Sequence, residues 1–156
     1  MTHRFSKRAL LALPLLGALA LGACDDDPVA VEDDHHEPEG LVITMSGLQL
    51  ASYDPASGWT GELDVAAGEE TPHLEVTFLD EDGDPLELDE DVYLEVDITD
   101  EAVAEFEQDT PGEFGGHLHG VAVGETDAVF KLMHGAVGQG HADFVTTEVH
   151  VHVRAP

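Results

Sequence analysis

Six of the chain's ten histidines fall in its last 40 residues: His117, His119, His134, His141, His150 and His152. Imidazole is the commonest metal-ligating side chain and titrates near neutral pH, so this concentration raises metal coordination first, with acid sensing third behind plain surface decoration. In "GGHLHG" and in "VHVH" the histidines are one residue apart. On a strand each pair then shares a face, with side-chain roots roughly 6.6 Å apart, twice the strand rise. Two imidazoles so placed can converge on one ion at Zn–N distances of about 2.0–2.1 Å. Further ligands must come from elsewhere. Asp143, Glu113, Glu125, Asp127 and Glu148 are available as ligands or as partners that fix an imidazole's tautomer. Zinc is the favoured ion and copper the second, since imidazole suits both, and Met45 and Met133 offer a soft ligand for copper(I). The competing reading is that these histidines decorate a Lys-poor surface and that the chain is a structural or adhesive module.

The elements that must position these side chains read as strands. "HLEVTFLD" places Leu74, Val76 and Phe78 on one face, "VYLEVDI" places Val92, Leu94, Val96 and Ile98 together, and "TEVHVHV" alternates Val149, Val151 and Val153 with Glu148, His150 and His152. About seven short strands with frequent turn signals predict an all-β fold, an antiparallel β-sandwich over residues 41–156. The one helical candidate is "DEAVAEFEQ", residues 100–108. "LDEDGDPLELDED" is rich in carboxylates, but Gly83 falls at the fourth place of a would-be calcium loop and not the sixth, so the stretch reads as a hairpin turn.

The series "LEVTFLDEDGDPL", then "GVAVGETDAVFKL" with Gly120, Gly124 and Thr126, then a final alternating valine strand, resembles bacterial Ig-like (BIG-type) domains. The resemblance implies the sandwich fold and leaves the function open, because such domains serve adhesion, spacing and ligand binding alike. It also implies that "TDAVFKLMH" and "ADFVTTEVHVHV" form the last hairpin, with "GAVGQG" as its loop. His134 and His141 would then flank that loop, with His150 and His152 roughly 25–30 Å away, too far to share an ion. His117 and His119 could complete either group. On this reading the missing half of the "VHVH" site is "HLHG" or a neighbouring chain.

Ahead of the domain, Arg4, Lys7 and Arg8 precede the apolar run Ala9–Ala23, the layout of a secretory signal segment spanning residues 1–23. "LGAC" resembles the lipobox of bacterial lipoproteins, which implies cleavage before Cys24, lipidation of its thiol and anchoring to a lipid bilayer outside the cytoplasm. Cys24 is the chain's one cysteine, so no intrachain disulfide can form, and once lipidated it leaves no thiolate for a metal. Residues 24–40 are acidic, contain His35 and His36, and read as a tether. Loss of the leader would leave Lys131 and Arg154 against 34 carboxylates, a net charge of −32. Such a charge argues against nucleic acid as a partner and leaves a metal transporter or another surface protein as candidates.

No enzyme is expected. Copper-zinc superoxide dismutases are also sandwiches with an H-x-H pair, and "HLHG" followed by "MHGAVGQGHAD" bears them a passing likeness. This chain departs from them in having no disulfide, a short segment after "HLH" and a charge that would repel superoxide. Ser46, Ser52 and Ser57 are the serines of the domain, and none sits in a Gly-flanked nucleophile elbow.

Overall fold

The computed structural model describes residues 37–156, which form strands, turns and irregular segments and no helix. Residues 1–36, which include the expected leader, Cys24, His35, His36 and most of the acidic segment, lie outside the described residues. Eleven strands follow in chain order: β1 (Gly40–Met45), β2 (Leu48–Asp54), β3 (Gly58–Gly61), β4 (Leu63–Ala66), β5 (Leu74–Leu79), β6 (Val92–Ile98), β7 (Ala104–Glu107), β8 (Gly115–Gly120), β9 (Gly124–His134), β10 (His141–Val145) and β11 (Val149–Arg154). One sheet runs β3-β2-β1-β5-β8-β7 and is antiparallel throughout. In the other, β9 pairs with β6 along one edge; β10 and β11 follow each other along its opposite edge, and β4 pairs in parallel with β11. The arrangement is an all-β sandwich, as the alternation predicts.

Each predicted apolar face lies inward. Leu74, Val76 and Phe78 of β5 are buried, as are Val149, Val151 and Val153 of β11, and they join Leu41, Ile43, Leu118 and Phe130 in one core. Two expectations need correction, the number of strands and the helical candidate. There are more than seven strands, because bends and tight turns cut the apolar runs. "LVITMSGLQL" folds back at Ser46 and Gly47, both at positive φ (52° and 76°), which is what a two-residue primed turn demands. "ADFVTTEVHVHV" breaks at Thr146, whose side-chain oxygen accepts from the Phe130 amide, giving β10 and β11 instead of one strand. Residues 100–108 are not helical: Asp100 caps a turn by accepting from the Ala102 amide, and β7 follows, its Phe106 packed on the core. Asp80–Asp84 forms the expected hairpin turn: Asp80 accepts from the amides of Asp82 and Asp84, and the chain returns antiparallel, with Leu79 bridged to Pro85 and the Leu86 amide donating to the Phe78 carbonyl. It leads from β5 in one sheet toward β6 in the other.

Lys131 and Arg154 are the only Lys or Arg among the described residues. Lys131 lies opposite Glu95, bonds it at 2.9 Å and is also paired with Asp97. These contacts, led by the Asp97 hydrogen bond, raise its pKa. Lys131→Met should leave two carboxylates side by side on β6 and cost about 1 kcal/mol in urea denaturation; an unchanged midpoint would show that the pair contributes nothing.

Candidate metal centre

Strand register decides which histidines meet. In the β9–β10 ladder His134 lies directly opposite His141 across the "GAVGQG" loop, and their rings stack at 5.4 Å with 16° between planes. The Tyr93 hydroxyl accepts from the Gly138 amide and so holds the loop. Asp143, two residues along β10, reaches both rings, with its Oδ2 3.3 Å from His134 Nδ1 and its Oδ1 3.1 Å from His141 Nε2. Ligands of a tetrahedral zinc at about 2.0–2.1 Å stand roughly 3.3 Å apart, so these separations already match a coordination edge. The other nitrogen of His134, Nε2, lies 2.8 Å from Asp91 Oδ2. With both nitrogens facing carboxylates, the His134 pKa is raised, chiefly by the Asp91 hydrogen bond. A metal at Nδ1 would replace one proton while Asp91 kept the other, the carboxylate–imidazole–metal relay that orients many ligating histidines.

A second group uses the same construction on the other sheet. Extending the β5–β8 ladder, in which Leu74 faces Gly116, puts His73 opposite His117. Their rings meet edge-on at 5.4 Å, and Asp109 Oδ2 lies 3.3 Å from His73 Nδ1 and 3.7 Å from His117 Nε2. His117 Nδ1 bonds the Thr71 carbonyl at 2.8 Å, which can only accept, so this nitrogen carries the proton and Nε2 turns toward Asp109. The same bond is the main cause of the raised His117 pKa. In each of the two groups the three ligand atoms lie within 4.8 Å of one another.

The remaining predicted residues do not converge. His150 and His152 share the outer face of β11 as expected, yet each turns to a separate carboxylate. His150 faces Asp127 at 3.2 Å and Glu125 at 3.8 Å, and His152 faces Asp64 at 3.4 Å. The Asp127 bond leads the causes that raise the His150 pKa. His119 sits between Glu70 at 3.5 Å and Glu107 at 3.3 Å. None of these three belongs to a three-ligand group among the described residues. Thus "HLHG" does not supply the missing half of "VHVH"; its first histidine pairs with His73. Of the carboxylates expected to contribute, Asp143 joins a group and Glu113 instead accepts from the Asp109 amide. Met45 packs on the core and Met133 is buried, so the exposed groups present only nitrogen and oxygen donors. Sequence reasoning missed His73, Asp91 and Asp109. The available signal was the position of His73 at the head of "LEVTFL", which becomes informative only once β5 is known to pair with β8.

No family model and no curated protein matches the chain. Among solved structures it is similar to domains 4 and 5 of the S-layer protein SbsC, at 21% identity, over 62% of this chain and 49% of that one, with a TM-score of 0.44. The chain therefore spans about half the length of that structure.

Proposed function

We propose that the chain is a lipid-anchored bacterial surface protein of the Ig-like class. Its sandwich binds a divalent transition ion, zinc first and copper second, at His134, His141 and Asp143, for buffering or delivery to a transporter. The observation that carries this reading is the directly opposed histidine pair with a carboxylate on both rings and Asp91 behind one of them. The site lies at a loop, and the His141 side chain is 75% exposed. Three protein ligands at an open surface leave a coordination position for water or for an incoming ligand, which suits exchange more than permanent storage. The tether rests on "LGAC" and the acidic stretch after it, and the strongly negative charge, −29 for the whole chain, would concentrate cations near the surface.

The test is to strip the full-length chain of metal in mild detergent, load it with zinc or copper(II), desalt it and count ions. Retention below roughly 0.2 ion per chain, with no thermal shift, would sink the proposal and favour a structural or adhesive module with incidental histidines. His141→Ala together with His134→Ala should abolish binding at this group. Asp91→Asn, which touches no ion, should weaken zinc about 10–100-fold by isothermal titration.

A further inference from the structure

We infer that His73, Asp109 and His117 form a second divalent-metal site whose ion fastens the β7–β8 hairpin to the rest of its sheet. The inference rests on the reading that imidazole–carboxylate groups of this chain take transition metals, but not on occupation of the His134 group. Between β5 and β8, where the hairpin joins the other four strands of the sheet, the ladder itself has two residue pairs, Leu74–Gly116 and Glu75–Gly115, and β8 is held further along by irregular bonds from the segment before β5, Thr71 to Leu118 and Gly68 and Glu69 to Gly120. By comparison β1 and β5 align over six pairs. The three ligands come from the three segments that meet at this short seam: His73 heads β5, His117 lies in β8, and Asp109 lies on the loop between β7 and β8.

The group is also held in place before any ion arrives. His117 is fixed by the Thr71 carbonyl, and Thr71 in turn bonds Leu118 through both its amide and its side chain. The His73 ring lies against Gly115, where any Cβ would collide with its Nε2 and with the Leu74 carbonyl, so glycine leaves the space this imidazole occupies. The Asp109 loop is fixed by Gln108, whose side chain bonds the carbonyls of Leu94 and Glu113 and the Gly112 amide. Only His73 and Asp109 need shift to close on an ion at His117 Nε2. A donor set of two imidazoles and one carboxylate selects zinc-class ions over calcium or magnesium, which take oxygen. Where the His134 site holds the two ends of one hairpin loop, this site ties together segments distant in sequence, so its ion acts on the fold.

The experiment is hydrogen exchange on the full-length chain, metal-stripped and then zinc-loaded, alongside ion counting. Zinc should slow exchange of amides in residues 71–76 and 115–118 about tenfold or more when in excess over its Kd, in the unmodified chain and in His141→Ala. His73→Ala should lose this protection and one ion per chain, and Asp109→Asn, which keeps the side chain's size, should lose most of both. The inference is overturned if His73→Ala retains the full ion count, or if zinc protects the seam equally in it. Loss of the ion in His73→Ala with no change in His141→Ala would uphold this site and reject the His134 one; the converse would do the reverse.

Discussion

Phe130→Ala is expected to lower the unfolding free energy by about 3–5 kcal/mol, a large share of the roughly 5–15 kcal/mol typical of a domain. Phe130 is fully buried in β9, the strand that pairs with β6, β10 and β11. Its ring lies 5.9 Å from that of Trp59 and 6.0 Å from that of Phe106, both on the opposite sheet, so it links the two sheets across the core. Truncation would leave a cavity walled by other strands that are themselves fixed by ladder hydrogen bonds and cannot collapse into it. With one cysteine in the chain, no disulfide restrains the unfolded state to offset the loss. The melting temperature should drop by roughly 10–25 °C. Trp59, the chain's single tryptophan, reports the change directly, since its indole packs on Phe130 and donates to the Thr147 carbonyl. A loss below about 1 kcal/mol would show that the two sheets do not meet through this ring.

The second large effect is on metal affinity. Zinc binding at the His134 group should weaken by on the order of 10²–10³ between pH 7.5 and 5.5, because two imidazoles must give up protons and each protonated ligand costs tenfold per pH unit. The raised His134 pKa, due first to Asp91, starts this loss above 6.5. The metal-free chain should respond in the opposite sense. A group whose folded pKa is raised contributes stability that is complete below its unfolded value and disappears as pH climbs through the folded one. His117, held by the Thr71 carbonyl, and His150, held by Asp127, have the same sign as His134. Melting curves should therefore show the metal-free chain gaining slightly in stability from pH 8 to pH 6, while the additional stabilisation by zinc shrinks over the same interval. Equal zinc shifts at the two pH values would rule out histidine ligation.

How much of this was legible in the sequence follows from range. The valines of "VHVHV" and the apolar positions of "LEVTFL" fixed strand faces because a period of two is a local property of extended backbone. The same alternation placed His150 and His152 outward correctly, and the glycine-rich "GAVGQG" placed His134 opposite His141 through a loop short enough to infer. What failed was the assumption that histidines two apart along one strand are the chelating pair. Their roots stand about 6.6 Å apart, while residues opposed across an antiparallel ladder stand about 4.5–5.5 Å apart, so cross-strand neighbours converge first and each H-x-H pair is split between different partners. Composition, strand alternation, the strongly acidic charge of −29 and the one hairpin pair were determined by the sequence alone. The pairing of β5 with β8, which brings His73 to His117 and Asp109 to both, was decided only by the tertiary structure, because contacts between segments more than 30 residues apart depend on how whole sheets pack and leave no local periodicity to read.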